Sequence, residues 1–140
     1  MKNTLRLLLF AAVLSSAVIS CTKEDDTTPS SGDDRDKFLG TWQVASDGSQ
    51  SGHQTWNMSV VASSSAGEIL LDNFDQIGTT NSVHATVNGN SFSIPAQYVS
   101  RGDTIKGSGT YNSNGTLSFN YSAYDGGASP VDNVTATAQR

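Results

Sequence analysis

The chain has 140 residues and a formal net charge of −5, with an isoelectric point near 4.6. That acidity excludes nucleic acid as a partner, because phosphate binding needs a clustered basic surface. Charged residues make up only 15%, their place taken by Ser, Thr, Asn and Gly, which favours strands and turns; the length allows a single modest core.

Met1 to Arg6 is a short basic stretch, and Leu7 to Leu14 is an apolar run of secretory-signal length. Extended to Ile19 it still falls short of the roughly 20 residues that span a bilayer, which argues against a retained helix. Cys21 is the only cysteine, so it can join neither an intramolecular disulfide nor a cysteine metal cluster. Val18-Ile19-Ser20-Cys21 resembles the lipobox of bacterial lipoproteins, with Val18 where Leu is usual. The resemblance implies that residues 1–20 are a signal peptide and that Cys21 carries the lipid. Acyl chains contributing about 0.8 kcal/mol per methylene would then hold the chain at a membrane. The competing reading is an ordinary cleaved signal with a chance cysteine.

Residues 22–37 lack aliphatic and aromatic residues, hold six acids against three bases, and include Pro29 and Gly32. Nothing there repays the entropy of ordering, so residues 21–37 are expected to be a lipidated, disordered tether. Lys23-Glu24-Asp25-Asp26 looks like the surface-export signal of Bacteroidota lipoproteins, which implies an outer-membrane protein exposed at the cell surface. A generic acidic tether, with the protein facing the periplasm, is the alternative. Asp26-Thr27-Thr28 is similar to the O-glycosylation sequon of that phylum, which makes Thr27 a candidate acceptor.

From Phe38 to Arg140 apolar and polar residues alternate at period two, broken by turn signals every eight to fifteen residues. Phe38, Trp42 and Val44 open the pattern; Trp56, Met58 and Val60 repeat it. Glu68 to Phe74 reads as a third strand, with Leu70 and Phe74 facing away from Ile69 and Leu71. Val83, Ala85 and Val87 lead to Asn88-Gly89, a strong hairpin signal. Phe92 and Ile94 follow, and Pro95 confines that strand to an edge or a bulge. Ile105 to Tyr111 comes next, with Gly107 and Gly109 inviting close approach. Asn114-Gly115 turns it into Leu117, Phe119 and Tyr121. Asp125-Gly126-Gly127 turns toward Val134, Ala136 and Ala138. Eight strands joined by hairpins imply an all-β antiparallel meander, either a closed barrel or a two-sheet sandwich.

Phe38-Leu39-Gly40-Thr41-Trp42 resembles the Gly-x-Trp first-strand signature of lipocalin-like domains. With the lipobox and acidic tether, the chain is similar to small lipocalin-like lipoproteins of Bacteroidota. The resemblance implies that residues 38–140 form an eight-stranded barrel, that Gly40 and Trp42 carry the motif, and that a basic residue near the last strand packs on Trp42. Arg140 is the candidate. The domain is shorter than a typical lipocalin and offers no helix after the last strand.

Residues for catalysis are scarce. His53 and His84 stand alone without carboxylates at ligand spacing, a poor zinc site. There is no Gly-x-Ser-x-Gly elbow for a serine hydrolase, and Glu68, Asp72 and Asp75 fit a solvated edge and turn. Gly107-Ser108-Gly109 lacks the third glycine of a dinucleotide fingerprint. Arg101-Gly102-Asp103 suits a turn better than an adhesion motif. Asp103-Thr104-Ile105 again matches the O-glycosylation pattern, which adds Thr104. Trp42, Trp56, Phe92, Phe119 and Tyr121 lie on apolar faces, where they fill the core or line a pocket for a small apolar or carbohydrate ligand at a barrel mouth. The reading that results is a non-enzymatic, lipid-anchored envelope or surface protein without cofactor or metal. A solidly packed accessory lipoprotein acting through an envelope protein partner is the alternative, and a hydrolase a remote one.

Overall fold

The computed structural model describes residues 32–99, 102–127 and 129–140. The chain divides into a unit over Met1–Ser30 and a second over Ser31–Arg140, and the second carries the described structure. The signal segment, Cys21, Thr27 and Arg101 lie outside it.

Eight strands form: β1 (Gly40–Gly48), β2 (Gly52–Ala62), β3 (Glu68–Asp72), β4 (Ser82–Asn88), β5 (Ser91–Tyr98), β6 (Thr104–Tyr111), β7 (Leu117–Tyr124) and β8 (Asp132–Gln139). Each pairs antiparallel with the next, and β8 returns to β1 from Gln43↔Gln139 to Gly48↔Val134. The sheet is therefore a closed barrel. The sandwich alternative is set aside by that ladder, because a sandwich leaves open edges and the eight strands here leave none.

Period-two alternation sends one face of every strand inward. The core holds Trp42 and Val44 of β1, Trp56, Met58 and Val60 of β2, Phe92 of β5, and Leu117, Phe119 and Tyr121 of β7. On the β8 side Val134, Ala136 and Ala138 leave room for the larger rings opposite. A column of aromatic rings runs the length of the interior. Trp42 meets Tyr111 with centroids 6.4 Å apart, Tyr111 meets Phe38 at 6.0 Å, and Phe38 meets Phe92 edge-on at 5.8 Å. Phe92 continues to Phe119 at 6.2 Å, and Phe119 to Phe74 at 5.8 Å. Such offset and edge-on pairs add to the area they bury.

Both ends of the column are plugged, each in a way the sequence pattern does not anticipate. At one end the described residues ahead of Phe38 lie against the barrel. Arg35 Nη1 donates to the carbonyls of Ser63, Ser65 and Glu68, at 3.0, 3.1 and 3.3 Å. Lys37 Nζ donates to Gly89 O and Asn90 Oδ1 at 3.1 and 2.9 Å. Residues 33–37, expected as part of the disordered tether, are therefore held against the barrel, their bases bonded to the β2–β3 and β4–β5 turns and to the start of β3. At the other end β3 stops at Asp72. Asn73, Asp75 and Gln76 take left-handed backbone with φ of 56°, 49° and 60°, which ends the strand and turns Phe74 into the core. Phe74 thus closes the barrel end rather than facing away from Ile69.

Pro95 produces a bulge, not an edge. The β5–β6 register shifts between Ile94 and Gln97, and the β4–β5 ladder runs only from Thr86↔Ser93 to Asn88↔Ser91. Beyond it the Gln97 side chain stands in for the missing backbone rungs. His84 N donates to Gln97 Oε1 at 2.9 Å, and Gln97 Nε2 donates to His84 O at 2.8 Å. Gln97→Ala is expected to remove both bonds and lower stability by about 1–2 kcal/mol. Amide exchange measured at His84 should accelerate more than at Thr86; equal acceleration would contradict the bridging role.

Candidate functional site at the barrel mouth

In an up-and-down meander every second loop lies at the same end. The β1–β2, β3–β4, β5–β6 and β7–β8 loops therefore share the end that Phe74 plugs, and together they surround a cavity of about 510 Å³. Its lining includes Asp75, Asp103, Asp125 and Asp132, with Gln54 and Gln76. Four carboxylates from three different loops and one strand end thus meet at one opening.

Each polar group there has a structural reason for its position. Asp132 opens β8 and reaches across to the β1–β2 loop. Its carboxylate accepts from Gln50 N at 2.8 Å, Ser51 N at 3.2 Å and Ser49 Oγ at 3.2 Å. Gln76 Nε2 donates to Gln54 Oε1 at 2.8 Å, tying the β3–β4 loop to β2. Tyr121 Oη donates to Asp75 Oδ1 at 2.6 Å, so the top of the aromatic column is bonded to the rim above it. Tyr121 and Phe74 pack with centroids 4.7 Å apart. Trp56 lies two residues below Gln54 on the inward face of β2; its indole N–H is buried without a hydrogen-bond partner.

The electrostatics follow from these bonds. Burial raises the Asp132 carboxyl pKa, but the bonds from Ser51, Gln50 and Ser49 outweigh it and hold the group below the usual carboxylate range. A backbone bond from Gly127 does the same for Asp125. A depressed folded-state pKa stabilises the barrel above the unfolded value, about pH 4, and that contribution disappears as pH falls through the folded value. The melting temperature is expected to fall more steeply below about pH 4 in the native chain than in Asp132→Asn. Parallel acid profiles would show that Asp132 does not couple to folding.

The five aromatics singled out from the sequence are all interior. Trp42, Phe92 and Phe119 are buried among other rings; Trp56 and Tyr121 alone stand near the mouth. Trp42 Nε1 donates to Phe38 O at 2.7 Å. The Arg140 guanidinium lies 4.3 Å from the Trp42 ring and donates to Lys37 O and Leu39 O, both at 2.8 Å. Gly40 has φ of 119°, which L side chains rarely adopt, and Arg140 Nε lies nearby. Thr104 is half-exposed at the start of β6.

Each histidine stands beside a carboxylate that the sequence spacing does not suggest. His53 Nδ1 is 3.0 Å from Asp47 Oδ1, and His84 Nδ1 is 2.9 Å from Glu68 Oε1. Ser63 Oγ donates to Glu68 at 2.7 Å, not to the imidazole; that hydroxyl therefore has a carboxylate rather than the imidazole beside it. Among the described residues no three His, Cys, Asp or Glu side chains are grouped to hold a metal ion, and no helix is long and apolar enough to cross a membrane.

The sequence patterns that hold Asp103 and Asp125 read as turns or a glycosylation sequon, Asp132 falls in none, and nothing in them points to a shared mouth. The signal that finds them is topological: in a hairpin-linked meander, acids in alternate loops converge.

No protein family model and no curated protein matches the chain. Among solved structures it is similar to a redesigned β-barrel, with 17% identity and a TM-score of 0.54 over 74% of this chain and 91% of that one. It is also similar to EF1p2_mFAP2b bound to DFHBI, with 17% identity and a TM-score of 0.52 over 74% of this chain and 94% of that one. At that identity the likeness establishes the barrel fold.

Proposed function

We propose that this chain is a non-enzymatic, lipid-anchored surface protein of lipocalin-like type that takes a hydroxyl-rich ligand, a short neutral saccharide, at the barrel mouth. The observation that carries this reading is the mouth itself: carboxylates and amides above an aromatic column that fills the interior. Carboxylates and amides bind vicinal hydroxyl pairs well and present little to an apolar chain. Anchorage rests on Cys21 and its resemblance to a lipobox. The same column favours a second reading, an accessory lipoprotein whose partner is another envelope protein.

The test uses the full chain reconstituted in phosphatidylcholine nanodiscs, titrated with neutral oligosaccharides and with fatty acids. Intrinsic fluorescence follows Trp56 beneath the mouth. Saturable binding of a neutral saccharide, with a raised melting temperature and weakening in Asp132→Asn, supports the proposal. Binding of fatty acids alone overturns it in favour of an apolar ligand, and binding of neither class overturns it in favour of the partner-binding alternative.

A further inference from the structure

The outer wall over β5–β8 carries features that neither the mouth nor the core uses. Directly paired residues on adjacent strands point to the same side of a sheet. Tyr98, Thr104 and Tyr124 form one row across β5, β6 and β7, and Lys106, Ser122 and Asn133 form the next across β6, β7 and β8. Tyr98 is 76% exposed and Tyr124 40%, with Val131 beside them at 43%. Both rings lie by the β7–β8 loop: Tyr124 Oη donates to Gly127 O at 3.3 Å, and a Cβ on Gly126 would stand 3.8 Å from Tyr98 Oη.

Two adjoining grooves open on this wall, of about 630 Å³ and 260 Å³. Ala96, Lys106 and Ser122 line both. The larger one opens over Gly107, between the inward-facing, buried Ile94 and Val134, and Asn120 and Asn133 edge it with amides. Among the described residues no acid lines either groove. The other described cations are engaged: Arg35 and Lys37 bind turn carbonyls and Asp33 and Asp34, and Arg140 binds carbonyls beside Trp42. Lys106 is exposed and forms no ion pair among the described residues.

An unpaired cation over an acid-free groove, in a chain of net charge −5, complements an anion. Exposed tyrosine rings complement the C–H face of a pyranose, and the amides and Ser122 complement its hydroxyls. The two tyrosines are separated by two strand spacings, roughly 10 Å, a span suited to more than one sugar ring. We infer that the outer wall of β5–β8 binds an acidic oligosaccharide, with a sugar carboxylate on Lys106 and pyranose faces against Tyr98 and Tyr124. This site is separate from the mouth, whose four aspartates disfavour an anion.

The experiment titrates the full chain in phosphatidylcholine nanodiscs with an oligogalacturonate and, in parallel, a neutral oligosaccharide of equal length, read by calorimetry. The oligogalacturonate is expected to bind, and Lys106→Gln to weaken it about tenfold, as loss of a charge-assisted bond does. Lys106→Arg should retain most of the affinity. Tyr98→Ala and Tyr124→Ala should each weaken it several-fold, with the melting temperature of Tyr98→Ala unchanged. Affinity should drop as salt rises from about 50 to 300 mM, while neutral-sugar binding holds steady. No oligogalacturonate binding, indifference to Lys106→Gln, or indifference to both tyrosine substitutions overturns the inference. Loss of oligogalacturonate binding in Asp132→Asn, with Lys106→Gln silent, moves the ligand to the mouth. Neutral-sugar binding that depends on Asp132 reports on the mouth independently.

Discussion

Trp42→Ala is expected to lower stability by about 3–5 kcal/mol, the range for removing a buried tryptophan. The side chain is fully buried, and three partners are organised around it. Its ring meets Tyr111, and its indole N–H holds the carbonyl of Phe38, whose ring lies beyond Tyr111 in the column. Its face carries the Arg140 guanidinium, which in turn holds the carbonyls of Lys37 and Leu39. Truncation leaves a cavity, frees the Phe38 carbonyl and strands the arginine. In a domain of about 100 residues whose total stability is about 5–15 kcal/mol, such a loss approaches the whole margin. At about 4–8 °C per kcal/mol the melting temperature should drop by at least about 12 °C. Trp42→Phe keeps most of the volume and should cost about 1–2 kcal/mol through the lost bond. Arg140→Ala should cost about 1 kcal/mol through the cation–π contact. A Trp42→Ala protein that melts within about 3 °C of the native chain would show that the plug is not a stability determinant.

The second large effect is expected at Gly107. A Cβ there would lie 2.7 Å from Tyr121 Cβ and 2.9 Å from Tyr121 Cα, and would also collide with the backbone carbonyl of Asn120. Two of these atoms are main chain of the paired strand β7, so no rotamer change relieves the contact. The strands must separate or shift, and Gly107→Ala is expected to cost about 3 kcal/mol or more, the upper range for overpacking. Gly109 offers an internal comparison. Its Cβ would meet Phe92 Cε1 at 2.5 Å and Phe119 Cβ at 2.6 Å, and the Phe92 ring can tilt away at the expense of the column. Gly89 meets nothing within 4 Å, so its alanine substitution carries only the strain of φ at 55°, about 1 kcal/mol. Thermal melts of the three variants should rank Gly107 above Gly109 above Gly89. A Gly107→Ala chain as stable as Gly89→Ala would mean that β6 and β7 are not held at this spacing.

Much of this fold is legible in the sequence because alternation is local. Val83-His84-Ala85 states its inward and outward faces within three residues, and Asn88-Gly89 states its turn. Closure is not local: whether β8 pairs with β1 depends on residues nearly a hundred positions apart, and period-two patterning is the same in a barrel and a sandwich. The end of β3 is invisible for a different reason. Leu70 to Phe74 continues an apolar pattern, and only the run of left-handed backbone at Asn73, Asp75 and Gln76 shows that the chain has turned. The mouth stayed hidden because its acids fall singly at turns, where a lone aspartate means only a turn. The outer wall was partly visible as a Ser-, Thr- and Asn-rich outward face. The row that sets Tyr98 level with Tyr124 needs the register of three strands.

The ladder between β1 and β8 also governs when the molecule can exist. Seven of the eight pairings join neighbours in the chain and can form hairpin by hairpin, at small loop-closure cost. The eighth must wait for the last strand. Until then β1 and β7 present two bare edges, each able to accept a strand from another copy. Before β8 pairs with β1 the chain is thus a curled ribbon open to mispairing, and that pairing is the event that seals it.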